Sequence, residues 1–77
     1  MKRYKVLDAS DSFFTVGDFV TEVTAPNEFV SERDYETITG IIEDHKAETG
    51  EVNVFVIDET GLPQITNIDY LEPVEGE

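Results

Sequence analysis

A small all-β barrel is the fold this sequence predicts, and three observations predict it. Seventy-seven residues hold one hydrophobic core and no more. Short runs rich in β-branched and aromatic residues recur along the chain. Clusters of turn-forming residues separate those runs. Apolar residues make up 39% of the chain, and seven of its eight aromatics fall between Phe13 and Tyr70, which suits a modest core and not a disordered acidic tail. Residues 1–77 are therefore expected to form a single domain, all-β or mainly β, with five to six short antiparallel strands and one or two short helical turns.

Tyr4 to Leu7 is short and β-prone, and it stops at Asp8-Ala9-Ser10-Asp11-Ser12, which reads as a first strand followed by a loop. Phe13-Phe14-Thr15-Val16 leads into Gly17-Asp18, and Phe19 to Thr24 forms the second strand, ended by Ala25-Pro26-Asn27. Glu28 to Tyr35 carries helical signals: Asn27 or Ser31 is placed to cap a turn, and Phe29, Val30 and Arg33 share a face. A loop holding one helical turn fits that segment equally well. Thr37 to Glu43 and Val52 to Asp58 are the clearest strands; Asp44 to Glu51 joins them, and its Gly50 suits a turn needing positive φ. They are expected to pair as an antiparallel hairpin. Glu59-Thr60-Gly61 marks a turn before Leu62 to Thr66, where Pro63 signals a strand end or a sheet edge. Asn67 to Tyr70 is expected to form one tight helical turn and Leu71 to Val74 the last strand, with Glu75-Gly76-Glu77 frayed.

At Phe14-Thr15-Val16-Gly17-Asp18-Phe19-Val20, Ile41-Ile42-Glu43-Asp44 and Ile68-Asp69-Tyr70-Leu71-Glu72-Pro73-Val74, the chain resembles the small SH3-like barrels common among short bacterial and phage proteins. The resemblance covers about two thirds of the chain. It implies a Val-Gly-Asp turn opening the second strand and a one-turn helix ahead of the last. The segment from Pro26 to Tyr35 departs from the tighter loops of that pattern.

Composition argues against chemistry. The chain has no cysteine, which removes disulfides, thiolate catalysis and cysteine zinc sites, and its single histidine, His45, is a poor triad member among acidic neighbours. Ser10, Ser12 and Ser31 lie in turn-like contexts, and Asp8 with Asp11, or Glu43 with Asp44, lacks a second catalytic type to make an acid/base pair useful. The graded Asp-x-Asp-x-Asp-Gly spacing of a calcium loop is absent. No enzyme activity, no cofactor and no dedicated metal site are expected. No apolar run approaches the roughly 20 residues of a membrane span, and the start lacks the apolar stretch of a signal peptide, so a cytoplasmic protein is expected.

Charge is the outstanding property. Eighteen Asp and Glu stand against five Lys and Arg, a net −13. Lys2, Arg3 and Lys5 sit at the start, and from Val6 to Glu77 only Arg33 and Lys46 face eighteen carboxylates, a net −16. A chain of this length has an expected radius of gyration of about 11–12 Å, or roughly 30 Å across. Thirty ångströms of B-DNA present roughly 18 phosphate charges. The two charges are of the same order. Solubility alone also accounts for many acidic surfaces, but so many like charges on an 8.7 kDa body destabilise its compact state. Nucleic acid and anionic membranes are unsuited as direct ligands, since no basic stripe follows Lys5.

The candidate partner-binding residues are Glu28, Glu32, Asp34, Glu36, Glu43, Asp44, Glu48, Glu51, Asp58 and Glu59. The expected hairpin sets Asp44 opposite Glu51 and Glu36 opposite Glu59, like charges that weaken a sheet. Glu28, Glu32, Asp34 and Glu36 form an acidic ridge around Arg33, where Phe29, Val30 and Tyr35 offer apolar contacts or anchor the loop to the core. An acidic, cysteine-free, barrel-like chain resembles the DNA-mimic inhibitors that bacteriophages make against host nucleic-acid-binding proteins. That resemblance implies competition with DNA for a basic cleft such as that of the nucleoid protein HU, by a monomer or weak dimer in the host bacterial cytoplasm. Two alternatives remain open: an SH3-like interaction adaptor, or an RNA polymerase inhibitor, each acidic mainly for solubility.

Overall fold

A computed structural model describes residues 2–74, so the expected fraying of Glu75 to Glu77 lies outside the described residues. Alternation decides which way each strand faces. In β1 (Arg3–Val6), Tyr4 and Val6 are buried while Lys5 points to solvent. β2 (Phe19–Glu22) buries Val20 and opens behind the Val16-Gly17-Asp18 turn, where Gly17 takes φ 96°. β3 (Asn53–Asp58), β4 (Pro63–Asn67) and β5 (Leu71–Pro73) complete an antiparallel sheet of order β4-β3-β2-β1-β5, curled into a half-barrel. The turn ahead of the second strand and the single 3-10 turn (Ile68–Tyr70) ahead of the last stand where the sequence puts them. Pro63 begins β4, an edge strand, and so satisfies both meanings read from it.

One element departs from the sequence reading. Thr37 to Glu43 is not a strand and makes no hairpin with Val52 to Asp58; it lies inside an 18-residue helix, α1 (Glu32–Thr49), inserted between β2 and β3. The facing pairs Asp44/Glu51 and Glu36/Glu59 therefore do not exist, and β3 pairs with β2 and β4 instead. Glu28 to Tyr35 is likewise more than one turn, since the helix starts within it. The physical reason is visible at both ends. Ser31 Oγ accepts from Asp34 N at 3.1 Å, Glu32 and Asp34 complement the N-terminal dipole, and Gly50 takes φ 77° as it donates to the Lys46 carbonyl. Tyr35, Ile38 and Ile42, at three- and four-residue spacing, give α1 a side to bury. That tertiary gain outweighs the β-propensity of Thr37, Ile38, Thr39, Ile41 and Ile42.

The core has two parts, one on each face of the sheet. Inside the curl, Tyr4, Val6, Phe14, Val20, Val56 and Leu71 pack together. On the outside, Val23, Val30 and Phe55 meet Tyr35, Ile38 and Ile42 of the helix. β3 serves both, sending Val54 and Val56 inward and Phe55 and Ile57 toward α1, which is why its apolar run is nearly unbroken. Each valine fully buried here, such as Val6, Val20 or Val56, contributes on the order of 1.5–2 kcal/mol. The Cα radius of gyration is 11.9 Å and the extents are 30 × 27 × 24 Å, the size expected from chain length.

Among the described residues no ladder joins the two edge strands, and the β1–β2 loop spans that gap. Leu7 and Asp8 both donate to the Tyr70 carbonyl, and further along Asp11 reaches β4: Oδ1 accepts from Thr66 Oγ1 at 2.8 Å, Oδ2 from Asn67 N at 3.0 Å. Thr66 is only 2% exposed. Asp11→Ala leaves its hydroxyl without that acceptor, with an expected loss of about 2 kcal/mol and a melting temperature roughly 10 °C lower. Asp11→Asn, which keeps one acceptor, is expected to recover part of this by circular dichroism melting. Equal melting temperatures for parent and Asp11→Ala would show that the clip contributes nothing.

Candidate functional site

Six of the ten candidate carboxylates lie on α1: Glu32, Asp34, Glu36, Glu43, Asp44 and Glu48. The helical period of 3.6 sorts them into two ridges. Glu32, Glu36 and Glu43 follow one edge of the solvent side, and Asp34, Asp44 and Glu48 follow the other. Between the ridges run Arg33, Thr37, Gly40 and Ala47, and Tyr35, Ile38 and Ile42 occupy the opposite side, against the sheet. Glu51 lies just past the helix, where its carboxylate accepts from Asn67 Nδ2 at 3.2 Å and comes within 3.9 Å of His45 Nε2.

The helix carries these acids at an electrostatic cost. Glu32 with Glu36, and Asp44 with Glu48, are like charges at i,i+4, each pair unfavourable by about 0.2–0.5 kcal/mol. Glu43, Asp44 and Glu48 also occupy the C-terminal half, where the macrodipole prefers bases and only Lys46 complements it. Gly40 adds a further cost, since nothing lies within 4 Å of where its Cβ would stand. Gly40→Ala is expected to stabilise the fold by about 0.5–1 kcal/mol and raise the melting temperature by roughly 4 °C. An unchanged or lower melting temperature would mean the helix backbone at Gly40 is constrained in a way its open surroundings do not reveal.

The remaining three candidates gather elsewhere. Glu28 in the β2–α1 loop, Asp58 at the end of β3, Glu59 in the β3–β4 turn, and Glu22 at the end of β2 line a groove of about 430 Å³. Asp58 is committed to its turn: Oδ1 accepts from Thr60 Oγ1 at 2.7 Å, Thr60 N at 2.9 Å and Leu62 N at 3.0 Å. Burial alone would raise its carboxyl, but these bonds prevail and hold it below the usual aspartate value. Of the three apolar residues singled out in this part of the chain, Val30 is in the core, and Tyr35 packs beside it and donates its hydroxyl to the Thr24 carbonyl; Phe29 alone stays open, 55% exposed. Glu22 escapes sequence reasoning because nothing in its own strand signals that the β3–β4 turn stands beside it.

The bases divide: Arg33 and Lys46 lie on α1 among its carboxylates, and the others lie in or beside β1. Arg3 and Lys5 sit on β1, with the Arg3 guanidinium 5.2 Å from the centre of the Phe19 ring and Lys5 paired in register with Phe19 and Glu72. β1 is two strands from β3, the strand that α1 covers, a separation of about 10 Å.

Asp8 and Asp11, one of the two pairs weighed for acid/base work, have structural duties. Asp8 Oδ1 accepts from Ser10 N at 2.8 Å, and hydrogen bonds from the Ser10 backbone and then its side chain hold the Asp8 carboxyl below the usual range. Asp11 clips the loop to β4. Among the described residues, no group of three His, Asp or Glu side chains converges as a ligand set, and no helix is long and apolar enough to cross a membrane. No family model, curated protein or solved structure matches this chain.

Proposed function

We propose that this protein is an acidic DNA mimic, occupying the DNA-binding surface of a basic nucleic-acid-binding protein in a bacterial host, such as a nucleoid protein of the HU type, and so excluding DNA. The observation that carries this reading is the outward side of α1. Glu32 to Glu48 spans about 24 Å at 1.5 Å per residue, so the two ridges together carry about one carboxylate per 4–5 Å, sparser than the one phosphate per about 1.7 Å of both DNA strands. The carboxylates run in two lines with Thr37, Gly40 and Ala47, and near the start Arg33, between them, as the two backbones of a duplex flank a groove. Arg33 and Lys46 on α1 offset two of its six carboxylates and leave the helix a net −4, while the β1 cations are about 10 Å away in the sheet alone, beyond the Debye length of about 8 Å at physiological salt.

The mechanism is competitive and stoichiometric: carboxylates take positions opposite the Lys and Arg side chains that otherwise hold phosphates. The protein acts as a monomer or weak dimer and binds no nucleic acid itself. The test is capture of basic proteins from bacterial lysate on immobilised protein, with and without duplex DNA. The expected result is a basic DNA-binding protein that is retained alone and released by DNA, with affinity falling roughly tenfold or more between 50 and 200 mM salt. Retention indifferent to both DNA and salt would instead favour the adaptor reading, in which an apolar contact does the binding.

A further inference from the structure

We propose that the groove between the β2–α1 loop and the β3–β4 turn is a socket for one arginine side chain of the partner. The inference rests on the reading above in that the partner is cationic, and it assigns to the groove a contact separate from the α1 ridges. Val23 and Ile57 supply apolar lining, Phe29 offers an open ring, and Glu22, Glu28 and Glu59 add carboxylates, while no base lines the groove. Apolar lining with an acidic margin selects a ligand that is cationic at its tip and apolar along its stem.

Arginine meets both needs better than lysine. Its guanidinium is planar, weakly hydrated and able to stack on an aromatic face while donating to carboxylates, whereas an ammonium is compact and strongly hydrated. A bare metal cation is poorly served, because these carboxylates do not converge as a ligand set. Phe29 is also held in place. Its backbone N–H donates to Asn27 Oδ1 at 2.8 Å, and its ring lies so close to Gly61 that a Cβ there would stand 2.6 Å from Cε1. Gly61, at φ 88°, thus lets the turn and the ring form one wall. A groove so fixed loses little entropy when filled.

The experiment is an amide NMR titration of the full chain with N-acetyl-argininamide, N-acetyl-lysinamide and the uncharged N-acetyl-citrullinamide. The expected result is saturable shifts at Glu28, Phe29 and Gly61 with the arginine probe, several-fold weaker binding of lysine, and none of citrulline. Glu28→Gln/Glu59→Gln is expected to weaken arginine binding roughly tenfold at unchanged melting temperature, and Phe29→Leu to reduce the preference for arginine over lysine. Citrulline binding as tightly as arginine, shifts confined to α1, or an inert Glu28→Gln/Glu59→Gln pair would each overturn the socket. The DNA-release assay separates this inference from the one it rests on. If DNA releases a captured basic protein while arginine ignores the groove, the socket alone falls; if arginine fills the groove but nothing captured is released by DNA, mimicry alone falls.

Discussion

Glu36→Lys/Glu43→Lys/Asp44→Lys is expected to abolish competition with DNA, weakening partner binding by on the order of a hundredfold or more. The three changes reverse charge on both ridges at once, so the partner's bases meet repulsion where they met carboxylates. Misfolding is not the expected cause, because all three positions are exposed on the helix and the local gains and losses nearly offset. Lysine at 36 pairs with Glu32 in the favoured orientation but faces Arg33, lysine at 44 turns repulsion by Glu48 into attraction, and lysine at 43 exchanges attraction to Lys46 for repulsion. The variant should melt within a few degrees of the parent. Single alanine substitutions, by contrast, should cost little, since exposed charges share the load. A folded triple variant that still displaces DNA as well as the parent would end the proposal that α1 is the mimicking face.

The largest expected effect on stability separates two adjacent phenylalanines. Phe14 is 6% exposed and packs with Tyr4, Val6 and Leu71 inside the curl, whereas Phe13 is 91% exposed. Phe14→Ala is expected to cost about 3–5 kcal/mol, a large share of the roughly 4–12 kcal/mol that a chain of this length commands. Phe13→Ala should stay within about 0.5 kcal/mol of the parent. The contrast arises because the loop is pinned on either side of Phe13: Asp11 bonds β4, Phe14 enters the core, and Phe13 N donates to Gln64 Oε1 at 3.0 Å. Urea denaturation measures both. Similar midpoints for the two variants would mean that the β1–β2 loop does not close the half-barrel.

The strands were legible because their local chemistry agrees with their surroundings. Tyr4 and Val6 alternate with polar neighbours, Gly17 and Gly61 sit where φ must be positive, and Pro63 marks an edge. The helix was hidden by its own β-branched residues. Thr37-Ile38-Thr39 and Ile41-Ile42 read as strand, and Gly50 serves a helix C-terminus as well as the hairpin turn first assigned to it. Better signals were present in Ser31 three residues before Asp34 and in the spacing of Tyr35, Ile38 and Ile42. The acidic residues were legible as a set, but their grouping was not, since it follows from the element that carries them. Asp11 with Thr66, 55 residues apart, and Glu22 with Glu59 across the groove depend on topology that no local pattern encodes.

The placement of β1 two strands from β3, the strand that α1 covers, has a consequence for how the molecule would meet the cationic target proposed for it. With six carboxylates against Arg33 and Lys46 on α1, and Arg3 and Lys5 on β1, the charge is lopsided, so an external positive potential exerts a torque as well as a pull. Rotational diffusion is therefore biased, and the helix leads before the surfaces touch. The asymmetry acts chiefly on the rate of productive encounter, and the lifetime of the complex is left to the close contacts.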